Sequence, residues 1–91
     1  MVNSDSNQDP SITLYSLRTC THCKDTKQYL EQLNVSFKTI YVDMLLGEDR
    51  SETLRQLRRI NPGVSFPTLV MGDTIIIGFK KDDIDDALKK F

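Results

Sequence analysis

Between residues 12 and 42 the hydrophobic period changes twice, which restricts the chain to few folds. Residues 12–17, Ile-Thr-Leu-Tyr-Ser-Leu, form a short apolar run that reads as a strand. The segment 24–33 follows with helical spacing, and Cys23, Thr26, Leu30 and Leu33 share one helical face. Asn34 ends that helix, and residues 35–42, rich in β-branched and aromatic side chains, read as a second strand. Together they make a β-α-β unit, whose crossover should be right-handed and whose strands should therefore be parallel.

Downstream the pattern changes. Residues 43–51 are a polar connection containing Gly47, with a helical turn expected at 44–46. Leu54, Leu57 and Ile60 are roughly helix-spaced, which predicts a helix over 52–60, stopped by Asn61, Pro62 and Gly63. Residues 67–71 and 74–79 read as two strands, and the Gly72-Asp73 link between them suits a type II′ hairpin. The last helix, 80–91, carries one apolar stripe of Ile84, Ala87, Leu88 and Phe91. Its charges complement the macrodipole, with Asp82, Asp83, Asp85 and Asp86 early and Lys89 and Lys90 late. The predicted order is β-α-β-α-β-β-α, an α/β fold with a four-stranded mixed sheet flanked by helices.

A chain of 91 residues suits one domain, here 12–91, preceded by a polar tail at 1–11 that reads as disordered. Twelve basic residues against thirteen acidic ones, with no basic block, argue against nucleic acid or an anionic membrane as the main partner. The tail has neither a basic n-region nor an apolar h-region, so a cytoplasmic location is expected; the chain is also expected to be a monomer. In that compartment structural disulfides are rare, and two close cysteines are more often catalytic or metal-bound.

The only two cysteines are Cys20 and Cys23, between the first strand and the first helix. Two thiols so spaced at a helix start can close and reopen a disulfide without refolding the chain, the chemistry of a thiol-disulfide oxidoreductase. A bound metal is not expected, since a single pair supplies two ligands and no second cysteine or histidine cluster exists. A purely structural disulfide is disfavoured too, because so short a loop removes little chain entropy.

The tetrad Cys20-Thr21-His22-Cys23 after the first strand, Ser65-Phe66-Pro67 before the third and Gly78-Phe79 after the fourth together resemble a glutaredoxin or NrdH-type redoxin of the thioredoxin fold. The resemblance covers about residues 11–91. It implies reduction of protein disulfides by a dithiol mechanism, with Cys20 as nucleophile and Cys23 as resolving thiol. A position at the N-terminal edge of a helix favours a thiolate at Cys20, and the more buried Cys23 then attacks the mixed disulfide. Protonated His22 would stabilise that thiolate, while neutral His22 would be an exposed helix-start residue. The resemblance also implies a cis bond before Pro67, a Phe66 backbone that pairs with an extended substrate, and a facing wall of Gly78 and Phe79. With Thr21 and His22 these residues would contact substrate.

Departures from the glutaredoxin pattern bear on the electron donor. Thr21-His22 stands where Pro-Tyr is common, Leu17 replaces a basic residue, although Arg18 is next, and Ile77-Gly78-Phe79-Lys80-Lys81 replaces a Gly-Gly pair with its polar stretch. A Gly-Phe followed by a basic residue resembles NrdH-type redoxins, which take electrons from a flavoprotein reductase. No bound cofactor is expected, reducing equivalents coming from glutathione, another low-molecular-weight thiol, or a flavin- or ferredoxin-dependent reductase. The alternatives are a glutathione-dependent glutaredoxin and, in another class, a carrier holding an iron-sulfur cluster between two subunits.

Overall fold

The structure, a computed structural model, describes residues 12–90. The expected tail at 1–11 and the last stripe position, Phe91, lie outside the described residues. Among the described residues, four strands and three α-helices follow in the predicted order: β1 (Ile12–Ser16), α1 (Thr21–Gln32), β2 (Lys38–Tyr41), α2 (Gly47–Ile60), β3 (Thr68–Met71), β4 (Thr74–Ile77) and α3 (Lys81–Lys90). A 3₁₀ turn, Val42–Met44, follows β2. The sheet order is β2-β1-β3-β4, with β1 parallel to β2 and the other pairs antiparallel. This mixed α/β architecture is the thioredoxin fold.

Alternation along β1 sends Ile12, Leu14 and Ser16 into the interior. Leu69 and Met71 of β3 and Ile76 of β4 join Ile12 and Leu14, and Leu30 of α1 with Ile84 and Ala87 of α3 complete the main core. Tyr29 and Asp85 tie the same two helices together, the Tyr29 hydroxyl donating to Asp85 Oδ1 at 2.6 Å. On α2 the expected stripe is only partly sunk, with Leu57 fully buried and Leu54 and Ile60 half-buried.

Several boundaries differ from expectation. α1 begins at Thr21, three residues earlier, because the Cys20 sulfur acts as its cap. It ends at Gln32, so Leu33 is the C-cap and stands 41% exposed instead of continuing the apolar face. Asn34 then adopts the left-handed region at φ 59. Its N–H donates to Glu31 O at 3.0 Å and that of Val35 to Leu30 O at 3.2 Å, the Schellman pattern that satisfies the last carbonyls. Val35 is thereby used as a cap residue, and β2 starts only at Lys38. The helical turn expected at 44–46 falls at Val42–Met44. α2 starts at Gly47 and not at 52: Gly47 turns the chain at φ 57, and Glu48 and Asp49 favour the first turn, so polar residues that read as a loop are helical. β4 stops at Ile77, where Gly78 at φ 90 breaks the extended backbone. The hairpin is as expected: Met71 faces Thr74, Gly72 takes φ 61, and Asp73 keeps a negative φ.

Candidate active site

Register brings most of the predicted site residues to one end of the sheet. Ser16 pairs with Tyr41 and Tyr15 with Thr68, so the C-terminal ends of β1 and β2 and the start of β3 lie side by side. Thr68 in turn faces Ile77, which adds the end of β4. The tetrad follows β1, Phe66 and Pro67 precede β3, and Gly78 follows β4.

Cys20 is the N-cap of α1 in an extended conformation, and its sulfur accepts the Cys23 N–H at 3.2 Å. Most N-caps use oxygen for this bond. Here the nucleophile candidate takes the role, so an orphan backbone donor at the positive end of the helix points at sulfur. The Cys20 thiol also faces the Phe66 carbonyl oxygen, 4.0 Å away across 46 residues of sequence. The Phe66-Pro67 peptide is cis, as the resemblance implied. Upstream, the Arg18 N–H donates to the Asp43 carboxylate at 3.2 and 3.3 Å, and Arg18 Nε lies 3.6 Å from Asp43 Oδ2. Those contacts fasten the segment before Cys20 to the turn after β2.

Cys23 is a different kind of thiol. It is fully buried, whereas Cys20 is half-buried, and both are free. Burial above all pushes the Cys23 thiol up from 9.0 to about 11, with a hydrogen bond to Cys20 and the adjacent Cys20 charge acting in the same direction. Hydrogen bonds from the Leu17 backbone and the Ser16 side chain oppose them. Ser16 was legible only as a polar residue at a core-facing strand position, and nothing in the sequence linked it to Cys23.

Thr21 and His22 are exposed on the first turn of α1, and the His22 carbonyl accepts the Thr26 hydroxyl at 2.8 Å. The Gly78 N–H donates to Pro67 O at 2.9 Å, which holds the end of β4 against the Pro67 segment. Phe79 is half-buried, and its ring packs edge-on against Tyr29 with centroids 6.0 Å apart. Lys81 Nζ sits 5.4 Å from the Tyr29 centroid and 5.7 Å from that of Phe79, so this lysine covers aromatic surface. Phe79 thus joins α1 to the start of α3, while Gly78 stands at the site edge. Among the described residues no group of three or more His, Cys, Asp and Glu side chains converges in a metal-binding arrangement.

The sequence model of the glutaredoxin family matches residues 12–76, most of the chain. The chain belongs to the glutaredoxin family. It is 34% identical over 79 residues, 87% of this chain and 99% of the other, to an uncharacterized glutaredoxin-like 8.6 kDa protein in the rubredoxin operon of Clostridium pasteurianum. Among solved structures it is similar to methanoredoxin from Methanosarcina acetivorans, with 44% identity, a TM-score of 0.81, and coverage of 85% of this chain and 82% of that one. NrdH-redoxin from Escherichia coli, a glutaredoxin-like protein with a thioredoxin-like activity profile, is 29% identical at a TM-score of 0.69, over 82% of this chain and 91% of its own. Cys20 and Cys23 are therefore the redox cysteine pair of a glutaredoxin-like protein.

Proposed function

We propose that this glutaredoxin-like chain reduces disulfides in proteins by a dithiol mechanism in the cytoplasm. The observation that carries the reading is the inequality of the two thiols: Cys20 is accessible and capped by a backbone donor, while Cys23 is buried with its thiol raised to about 11. Cys20 sulfur, as thiolate, attacks one sulfur of the substrate disulfide. A Cys20–substrate bond forms, the substrate S–S bond breaks, and the departing thiolate takes up a proton. With Cys20 in that mixed disulfide, its charge and its hydrogen bond no longer hold the proton on Cys23, while the Leu17 and Ser16 bonds that favour the Cys23 thiolate remain. Cys23 then loses its proton and attacks Cys20 sulfur. The Cys20–Cys23 disulfide forms, the second substrate thiol leaves, and two electrons have passed to the substrate. The Phe66 backbone beside Cys20 suits pairing with an extended substrate segment, with Gly78 opposite.

Reducing equivalents come from a flavin-dependent reductase and not from glutathione, a reading supported by Leu17, Thr21-His22 and Gly78-Phe79-Lys80 in place of the residues common in glutathione-dependent members. In an assay of disulfide reduction, Cys20→Ser is expected to be inactive, and Cys23→Ser to accumulate a mixed disulfide with substrate through Cys20. Equal trapping by both variants, or activity without Cys20, refutes the assignment. Supplying glutathione, another low-molecular-weight thiol, or a flavin-dependent reductase to the oxidised protein tests the donor, and fast reduction by glutathione overturns that part.

A further inference from the structure

Residue 61 follows the last turn of α2 and is one of the buried polar side chains among the described residues, at 4% exposure. Asn61 Nδ2 lies 3.0 Å from Thr68 Oγ1 and 3.2 Å from both the carbonyl oxygen and the hydroxyl of Ser65. The Thr68 hydroxyl donates onward to the same Ser65 carbonyl at 2.7 Å, closing a ring of hydrogen bonds. That carbonyl can only accept, so it must face the amide nitrogen of Asn61 and not its oxygen. Along the main chain, Asn61 N–H donates to Leu57 O and Asn61 O accepts the Val64 N–H, each at 2.8 Å. One residue therefore joins the end of α2, the turn at 61–64, Ser65 and the first residue of β3. Phe66 and Pro67 are the two residues spanned between the tethered Ser65 and Thr68. Val64, in the left-handed region at φ 47, is a conformation that a β-branched residue does not choose alone, so this loop depends on the bonds that hold it.

We propose that Asn61 is a positioning residue, which through Ser65 and Thr68 holds the Phe66 carbonyl beside Cys20 in the geometry that pairs with a substrate backbone. The inference rests on the disulfide-reductase reading for its consequence and on the ring of hydrogen bonds for its cause. An aspartate at 61 would set an acceptor against the Ser65 carbonyl and break the ring, although its shape is the same.

The test uses the full chain with dithiothreitol as reductant, insulin as a protein disulfide and 2-hydroxyethyl disulfide as a small one. Asn61→Ala, Asn61→Asp and Thr68→Val are expected to raise KM for insulin about fivefold or more, the loss of one net hydrogen bond. Values of kcat, turnover of the small disulfide and alkylation of Cys20 by iodoacetamide stay within about twofold, since the thiols and α1 are untouched. Thr68→Ser, which keeps the hydroxyl, restores the wild-type KM. Hydrogen exchange at the Gly78 amide, bonded to Pro67 O, should speed up in the three damaging variants while α1 amides do not change. If Asn61→Ala fails to fold, Thr68→Val and Thr68→Ser carry the comparison. Unchanged Gly78 exchange, an unchanged KM for insulin, or equal losses on both disulfides overturns the proposal. Wild-type protein inactive on insulin refutes the reductase reading instead, and Gly78 exchange then decides whether Asn61 holds the loop.

Discussion

Raising the pH should destabilise this protein through Cys23. The buried thiol stands at about 11 in the folded state against 9.0 for an ordinary one, burial being the largest cause. A raised acid binds its proton more tightly in the folded chain, so the stability it supplies is complete below pH 9 and is lost as pH climbs towards 11. Between those values the unfolded chain releases the proton first, and stability falls by about 1.4 kcal/mol per pH unit. For these two values the loss from this one group is about 1.4 kcal/mol at pH 10 and about 2 kcal/mol at pH 11. Tyrosines and lysines titrate over the same range, so the measurement is a difference. Urea unfolding of wild type and Cys23→Ala, both kept reduced by a phosphine, is followed at pH 8, 10 and 11. Removing a buried side chain lowers the stability of Cys23→Ala at every pH, and the informative quantity is the slope. Wild type should lose about 2 kcal/mol more than the variant between pH 8 and 11. Parallel pH profiles would refute the argument, because they would mean that Cys23 ionises as readily inside the fold as outside it.

Substitutions at two positions probe the loop and the C-terminal cap of α1. Val64 is half-buried in the left-handed region, where a residue with a Cβ costs about 1–2 kcal/mol relative to glycine, so Val64→Gly should be about 1 kcal/mol more stable than Val64→Ala in urea unfolding; equal stabilities of the two variants contradict the assignment of strain there. At the exposed C-terminal cap of α1, Asn34→Gly should preserve stability while Asn34→Val loses about 1–2 kcal/mol in urea unfolding, and a neutral valine would argue against the Schellman cap.

What was legible beforehand was what neighbouring residues decide among themselves. The order of elements followed from hydrophobic period, the hairpin from Gly72-Asp73, and the redox pair from two cysteines at a helix start. Helix boundaries were less legible. Sulfur is an unusual cap, so the sequence places the start of the first helix after Cys23, and the polar start of α2 at Gly47, Glu48 and Asp49 reads as a loop because it has no apolar stripe. Leu33 fits the helical period yet is exposed, since the chain turns at Asn34 before that face can meet the core.

The sequence by itself determined a β-α-β-α-β-β-α chain with a vicinal thiol pair at its first helix, because period, turn chemistry and cysteine spacing act over a dozen residues or fewer. Inequality of the thiols belongs to the tertiary structure. Cys20 and Cys23 differ because packing leaves one at an edge and buries the other beside Ser16 and Leu17. The meeting of Cys20 with Phe66 and the ring of Asn61, Ser65 and Thr68 likewise exist only once β1 lies antiparallel to β3 and α2 ends over the loop. Desolvation and hydrogen bonding across such separations depend on which surfaces are removed from water together, and no local pattern of residues encodes that.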